Sequence, residues 1–232
     1  MITLIFLTAL STVSLNMFLP SLAGITTDLG TSYAVASFAV AGYLAVTAVL
    51  QLVLGPLSDR IGRRPVLLFA LGTFAMASVG CAFATDIRVF LGFRMLQGGV
   101  IAGYALSLAI VRDTTSEQKA AGLIGYISMA MALAPMVGPV LGGILDTTFG
   151  WRANFVFYAL AGIALFVLCW VDLGETKSAQ VPRSGTDAAK VLLKVPLFWA
   201  YALCSAFSTG AFYIFLTGAP LVAAQEFGVS TA

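Results

Sequence analysis

The chain has 232 residues, of which 60% are hydrophobic and only 9% charged, with a formal net charge of +2 and a mean hydropathy of +1.00. An ordinary soluble domain is about a quarter charged, so a compact water-soluble fold is excluded and a bilayer is the solvent that fits this much apolar surface. The absence of His removes a zinc site and a Ser-His-Asp triad from the candidate chemistries.

Spanning roughly 30 Å of hydrocarbon takes about 20 apolar residues in a helix. Seven segments meet that length: Ile2–Leu19, Tyr33–Leu57, Pro65–Ala84, Val89–Val111, Ala120–Leu145, Ala153–Val171 and Leu197–Ala223. Backbone groups in lipid must be satisfied within the segment, and the alternating pattern of a closed barrel is missing, so each is predicted to be a helix. No Lys or Arg precedes Arg60, so the first segment lacks the basic start of a signal peptide and reads as a retained span. The polar stretches Pro20–Ser32 and Asp172–Pro196 are expected to be the longer connections. Within the second, Ala188–Val195 carries Lys190 and Lys194 four apart beside Val191, Leu192 and Leu193. That pattern suits a short surface helix or an ordinary solvated loop. Cys81, Cys169 and Cys204 sit far apart in apolar segments and are expected to be buried structural thiols, with neither metal spacing nor a disulfide framework.

Basic residues orient the spans. One alternate set of connections holds Arg60, Arg63, Arg64, Arg112, Lys119, Lys177, Arg183, Lys190 and Lys194, the other only Arg88 and Arg152. The positive-inside bias places the first set in the cytoplasm. Met1 is therefore expected inside and Ala232, after an odd number of spans, outside.

Taken along the chain, the first span places Thr8, Thr12 and Asn16 four apart on one helical face, and the second does the same with Tyr43, Thr47 and Gln51. The turn that follows reads Gly55-Pro56-Leu57-Ser58-Asp59-Arg60-Ile61-Gly62-Arg63-Arg64-Pro65. Here Gly55 is expected to permit close helix contact, Gly62 a tight turn, and Asp59 to pair with the arginines or a helix N-terminus. In the fourth span, Arg94, Gln97, Ile101 and Tyr104 fall on one helical face. An intramembrane Arg costs at least about 2.5–3.5 kcal/mol, so Arg94 either faces a cavity or partner or snorkels to the outer interface near Arg88. The fifth span reads Ala134-Pro135-Met136-Val137-Gly138-Pro139-Val140-Leu141-Gly142-Gly143. Pro135 and Pro139 each remove a donor and bend the helix, and Gly138 and Gly142 form a small-residue face. The seventh span aligns Tyr201, Ser205 and Phe212. Each polar stripe is read as cavity lining or as helix–helix packing.

The Gly55–Pro65 turn matches the G-x-L-x-D-R-x-G-R-R signature of the major facilitator superfamily position for position, and Arg94–Ala102 resembles the family's R-x-x-Q-G-x-G-x-A pattern with Val100 in place of the second glycine. The fifth-span motif resembles the G-x-x-x-G-P-x-x-G-G signature of its drug and proton antiporter branch, with Ala134 in place of the first glycine. Asn16–Pro20, Ala134-Pro135 and Gly150-Trp151-Arg152-Ala153-Asn154-Phe155 are similar to segments of the bicyclomycin-resistance exporters, and Leu173–Thr176 resembles the end of a first half. The resemblance implies an all-α polytopic membrane bundle of the major facilitator fold. Residues 1–171 would form the amino-terminal six-helix half, 172–196 a cytoplasmic linker, and 197–232 the first helix of a truncated carboxy-terminal bundle.

It further implies no enzyme but a carrier of the bacterial inner membrane, exporting small molecules such as hydrophobic drugs by alternating access, with proton antiport. Lipid is its environment, and no cofactor or nucleic acid is implied. Uptake of sugars or metabolites by the same fold is the nearest alternative, and a seven-helix receptor or sensor the alternative of another class. The resemblance gives Gly55, Asp59, Arg60, Gly62, Arg63, Arg64 and Arg112 a latch, and Pro135, Gly138, Pro139 and Gly142 a gating surface whose usual partners lie in later helices. Thr12, Asn16, Tyr43, Gln51, Arg94, Gln97, Tyr104 and Tyr201 are the cavity candidates. Asn16 stands where the branch usually has Asp, and an amide cannot carry a proton. Coupling would then use a group in a second half or a loop-edge acid such as Asp146, or be absent.

Overall fold

The computed structural model of the chain describes residues 2–174 and 193–227, without the side chains of 117, 216, 217, 219–221 and 223–227. Among the described residues every regular element is a helix, and seven helical stretches are long and apolar enough to cross a membrane. The elements are α1 (Ile2–Asn16), α2 (Leu22–Asp28), α3 (Tyr33–Ala36), α4 (Phe38–Ile61), α5 (Arg63–Ala82), α6 (Ile87–Leu96), α7 (Ala102–Thr114), α8 (Glu117–Phe149), α9 (Arg152–Asp172) and α10 (Pro196–Phe227). The chain divides into two compact units, Met1–Ser178 and Ala179–Ala232.

Within the first unit α5 packs along α9, and α1 packs against α7, α8 and α9. Its centre is filled by interlocking aromatic rings. Phe155 lies 5.3 Å from Phe90, 5.6 Å from Tyr158 and 5.9 Å from Trp151, in edge-to-face contacts. Such pairs add about 0.5–1.5 kcal/mol beyond the area they bury. The outer surface is itself apolar, with Phe69, Met76, Phe83, Leu160 and Val171 exposed, as a hydrocarbon surround requires.

Three features differ from the sequence expectations. The stretch after Pro20 is no connection: Leu19–Ser21 forms a 3-10 turn and α2 carries the first span on to Asp28. Pro20 starts the turn without loss, since the first residues of a helix have no use for their donors, and Leu22 and Ile25 are buried in the bundle. The fourth span is interrupted by a 3-10 segment, Gln97–Ile101. Cys81 and Cys169 are buried, but Cys204 is exposed, on the one helix described in its unit. The expected surface helix at 188–195 falls mostly outside the described residues.

Candidate functional site

Arg94 sits at the end of α6 with none of its surface exposed. Its Nε donates to the Ala39 carbonyl (3.2 Å), one Nη to Gln97 Oε1 (2.6 Å) and the other to the Ser14 carbonyl (2.8 Å). The guanidinium also lies 4.3 Å from the Phe18 ring centre and 4.2 Å from that of Tyr43. Gln97 Nε2 in turn donates to Ser78 Oγ (2.7 Å), and the Tyr43 and Ser14 hydroxyls are 3.1 Å apart. A single charged group thus ties together α1, α4, α5 and α6. Three donors paired with oxygens and two ring faces offset the cost of burying the charge. Snorkelling to the interface does not occur.

Of the eight cavity candidates, the structure brings Tyr43, Arg94 and Gln97 into this network. Asn16 and Thr12 lie on α1 beside it. Asn16 is fully buried and its Nδ2 donates to the Thr12 carbonyl (2.8 Å), while its Oδ1 is buried with no hydrogen-bond partner. Thr12 is half-buried, and its hydroxyl donates to the Thr8 carbonyl. Tyr104 is half-buried and outside the network. Ten residues separate it from Arg94, an axial rise of about 15 Å or more, which sets it beyond the contacts of the guanidinium. Gln51 is exposed on α4, and Tyr201 is exposed on α10 of the second unit. The partners Ser14, Ser78 and Phe18 escaped sequence reasoning, because short hydroxyls and a Phe at helical spacing read as ordinary packing.

The signature turn brings charges together at one end of the unit. Gly62 separates α4 from α5 with φ 107°, a conformation that L side chains rarely adopt. Arg63 then pairs with Asp113 at 2.8 Å and more distantly with Asp59 at 3.7 Å. Asp59 is 69% exposed, Asp113 only 21%. Arg64 donates to the Trp170 carbonyl (2.7 Å) with its guanidinium 5.3 Å from that indole, and Arg60 is exposed. Two expectations are corrected. The residue that joins this cluster from α7 is Asp113, while Arg112 points about 100° away on the helix and lines an open pocket of about 400 Å³ with Thr115, Ala120, Ala121 and Ile124. A Cβ on Gly55 would meet nothing within 4 Å, so no close helix contact within the first unit depends on it.

The Pro-Gly face of α8 has a partner within the first unit. Gly138 and Gly142 lie on the end of α1. A Cβ at 138 would stand 3.5 Å from the Met17 nitrogen and 3.7 Å from Asn16 Cβ, and one at 142 would stand 1.6 Å from the Met17 carbonyl oxygen. The small residues let backbone lie on backbone within this unit. Pro135 and Pro139 lie inside the 33-residue α8 without ending it. On the far side, Asn154 Nδ2 donates to Ser21 Oγ (2.9 Å) and the Gly142 carbonyl (3.3 Å). Trp151 Nε1 and Arg152 both donate to Asp28 Oδ2, at 2.9 and 2.7 Å, fastening α2 to the start of α9.

A bundle of apolar spans, with an arginine sealed inside it and an acid-arginine turn at one end, defines a polytopic helical membrane protein. The chain belongs to the Major Facilitator Superfamily, whose family model matches residues 4–232, a family of transporters rather than enzymes. It is 36% identical over 225 residues to a chloramphenicol resistance protein of Pseudomonas aeruginosa, covering 95% of this chain and 53% of that one. It is 34% identical to the uncharacterized MFS-type transporter YdgK of Bacillus subtilis (97% of this chain, 58% of that one). It is also 34% identical to the multidrug resistance protein MdtL of Escherichia coli (73% and 44%). The chain spans about half the length of the curated relatives it matches. Among solved structures it resembles a bacterial homologue of the human lysosomal transporter Spinster, with TM-score 0.79, 19% identity and coverage of 99% of this chain and 54% of the other. A D-xylose-proton symporter gives TM-score 0.69 at 18% identity, covering 99% and 62%. These two likenesses speak to the fold alone.

Proposed function

We propose that the chain belongs to a drug exporter of the bacterial inner membrane that works by alternating access, with its amino terminus in the cytoplasm. The observation that carries this reading is the 36% identity, across 95% of the chain, to a protein named for chloramphenicol resistance. Other features support it. The Arg94 network binds four spans into one block, as a rocking mechanism requires, since each half of such a carrier turns as a unit about a midplane site. The Asp59–Arg63 turn lies at the end of that block, where a gate between halves closes. Residues 1–171 form the moving half, 172–196 the linker, and 197–232 the start of the next bundle. Thr12, Asn16, Tyr43, Gln51 and Tyr104 are the polar positions of the first unit from which a cavity for small hydrophobic drugs is built, with Arg94 and Gln97 behind them, and Tyr201 is the candidate on the second unit. No proton carrier is assigned among the spans.

The test uses the intact reading frame that contains these residues, expressed in a bacterial host stripped of its main drug pumps. Steady-state accumulation of labelled chloramphenicol should fall severalfold below the empty-vector level and recover when a protonophore collapses the ion gradients. Raised accumulation would identify an uptake carrier, and unchanged accumulation would remove the exporter reading. Reporters active on one side of the membrane, fused after Lys119 and Asp146, should report cytoplasm and exterior respectively. The reverse pattern refutes the orientation.

A further inference from the structure

The open pocket of about 400 Å³ beside Arg112 lies where two spans meet. Helix α7 ends at Thr114 and α8 begins at Glu117, and both belong to stretches long and apolar enough to cross a membrane. The two residues between them reach about 7 Å at most, roughly the thickness of one headgroup layer. The corner therefore stays at the membrane surface, and the pocket opens at the depth of the lipid headgroups.

Its lining is chemically two-sided. The Arg112 guanidinium is exposed and makes no hydrogen bond, ion pair or ring contact with any described residue. Other arginines at this end of the unit are engaged: Arg63 pairs with Asp113 and Asp59, and Arg64 donates to the Trp170 carbonyl. The acid next to Arg112 in sequence is thus turned to Arg63. Thr115 gives its hydroxyl hydrogen to the Val111 carbonyl, so Arg112 is the side-chain donor of the pocket. The remaining walls, Ala120, Ala121 and Ile124, are apolar. The two alanines leave the space. Ile124 begins a helical face that continues through Ser128 to Met131, about 10 Å along α8, and Met131 is 42% exposed.

We infer that this pocket binds an anionic phospholipid, with the lipid phosphate at Arg112 and an acyl chain along Ile124 and Met131. The leaflet is the cytoplasmic one, which rests on the orientation proposed above; the binding itself does not. A guanidinium without a counter-charge presents paired donors that match phosphate oxygens. Exposed Lys119, in the first turn of α8, adds to the positive potential that draws anionic lipid to the surface. A water-soluble phosphate gains only the contact with Arg112, whereas a lipid also covers the apolar walls, so the lipid is the occupant that uses the whole lining.

The experiment uses the protein of the intact reading frame, purified in detergent and titrated with phosphatidylglycerol or phosphatidylcholine, with bound lipid counted by native mass spectrometry. The parent should hold phosphatidylglycerol about tenfold more tightly than phosphatidylcholine. Arg112→Gln should remove most of that difference. Arg88→Gln is the control, since it deletes an equally exposed arginine at the opposite end of the fourth span and should leave the ratio unchanged. Glycerol 3-phosphate, added at the lipid's concentration, should not displace it. Equal retention of both lipids by the parent, as when another part of the protein fills the pocket, overturns the inference. So does an Arg112→Gln ratio equal to the parent's, an Arg88→Gln loss as large as that of Arg112→Gln, or displacement by glycerol 3-phosphate. A protein that passes these tests yet leaves chloramphenicol accumulation unaltered keeps the lipid site and loses the exporter.

Discussion

Gly142→Ala isolates the backbone contact on which the α1–α8 seam depends. In a helix interior this substitution alone is favourable by roughly 0.5–1 kcal/mol, because alanine loses less backbone entropy than glycine. At this position the new Cβ would stand 1.6 Å from the Met17 carbonyl oxygen and 2.7 Å from its carbonyl carbon, where ordinary contact begins at 3.4 Å. Neither atom is the end of a flexible side chain, so the end of α1 and α8 must separate by about 1.8 Å. Such overpacking costs about 3 kcal/mol, and the shift also strains the Asn154 bond to the Gly142 carbonyl, worth about 1 kcal/mol. The net loss is about 3 kcal/mol, or roughly 6–12 °C in melting temperature for a chain of this size. Gly138→Ala, one turn away, is the control: its nearest neighbours lie at 3.5 and 3.7 Å, so its melting temperature should equal the parent's or exceed it by about 1–4 °C. Unfolding in detergent is followed with a thiol-reactive fluorophore, since Cys81 and Cys169 are buried and label on unfolding, while exposed Cys204 sets the baseline. If Gly142→Ala melts within about 2 °C of the parent, the seam is not built on this contact.

Ser78→Ala removes the acceptor of the Gln97 amide in a fully buried site. It should cost about 1–3 kcal/mol, read as a lower melting temperature in the same assay, and an unchanged melt would detach Ser78 from the network. Asp113→Asn should lower stability by about 1–2 kcal/mol, since it weakens a charge-assisted 2.8 Å contact with Arg63 at a largely covered site. Asp59→Asn should move stability by no more than about 0.5 kcal/mol, the carboxylate being 69% exposed, but should reduce chloramphenicol efflux at equal protein level. If Asp59→Asn exports normally, the turn is not a gate. If Asp113→Asn melts with the parent, Arg63 is held by its other contacts.

The spans were legible in the sequence because bilayer thickness imposes a length and a polarity that no packing detail overrides. Where packing decides, legibility ended. Pro20 beside a Ser-Thr-Asp stretch reads as a loop, yet Leu22 and Ile25 bury against the bundle and hold the stretch helical. Gln97–Ile101 reads as continuous helix, and nothing in its periodicity marks the 3-10 segment found there. The charges of the signature turn were plain, but one position on α7 separates exposed Arg112 from the paired Asp113, and a helical pattern without neighbours cannot say which of the two faces the turn. Gly138 and Gly142 announced a close contact without naming the partner, because a small-residue face fits any backbone that reaches it.

The position of the Arg94 charge follows from where helices stop. Ser14 falls in the last turn of α1, where carbonyls lack an intrahelical donor and the helix carries partial negative charge. Arg94 donates to that carbonyl and itself lies in the last turn of α6, so the C-terminal ends of two half-spans converge on one guanidinium. A helix end contributes roughly half an elementary charge, spread over several carbonyls, and its effect fades within a turn. It can therefore make burial of the arginine tolerable while leaving a positive field beyond the first contacts. An aspartate at position 16 would oppose that field, whereas the asparagine present there is neutral and donates to the Thr12 carbonyl. The break after Asn16 thus frees one of the carbonyl oxygens that hold the arginine.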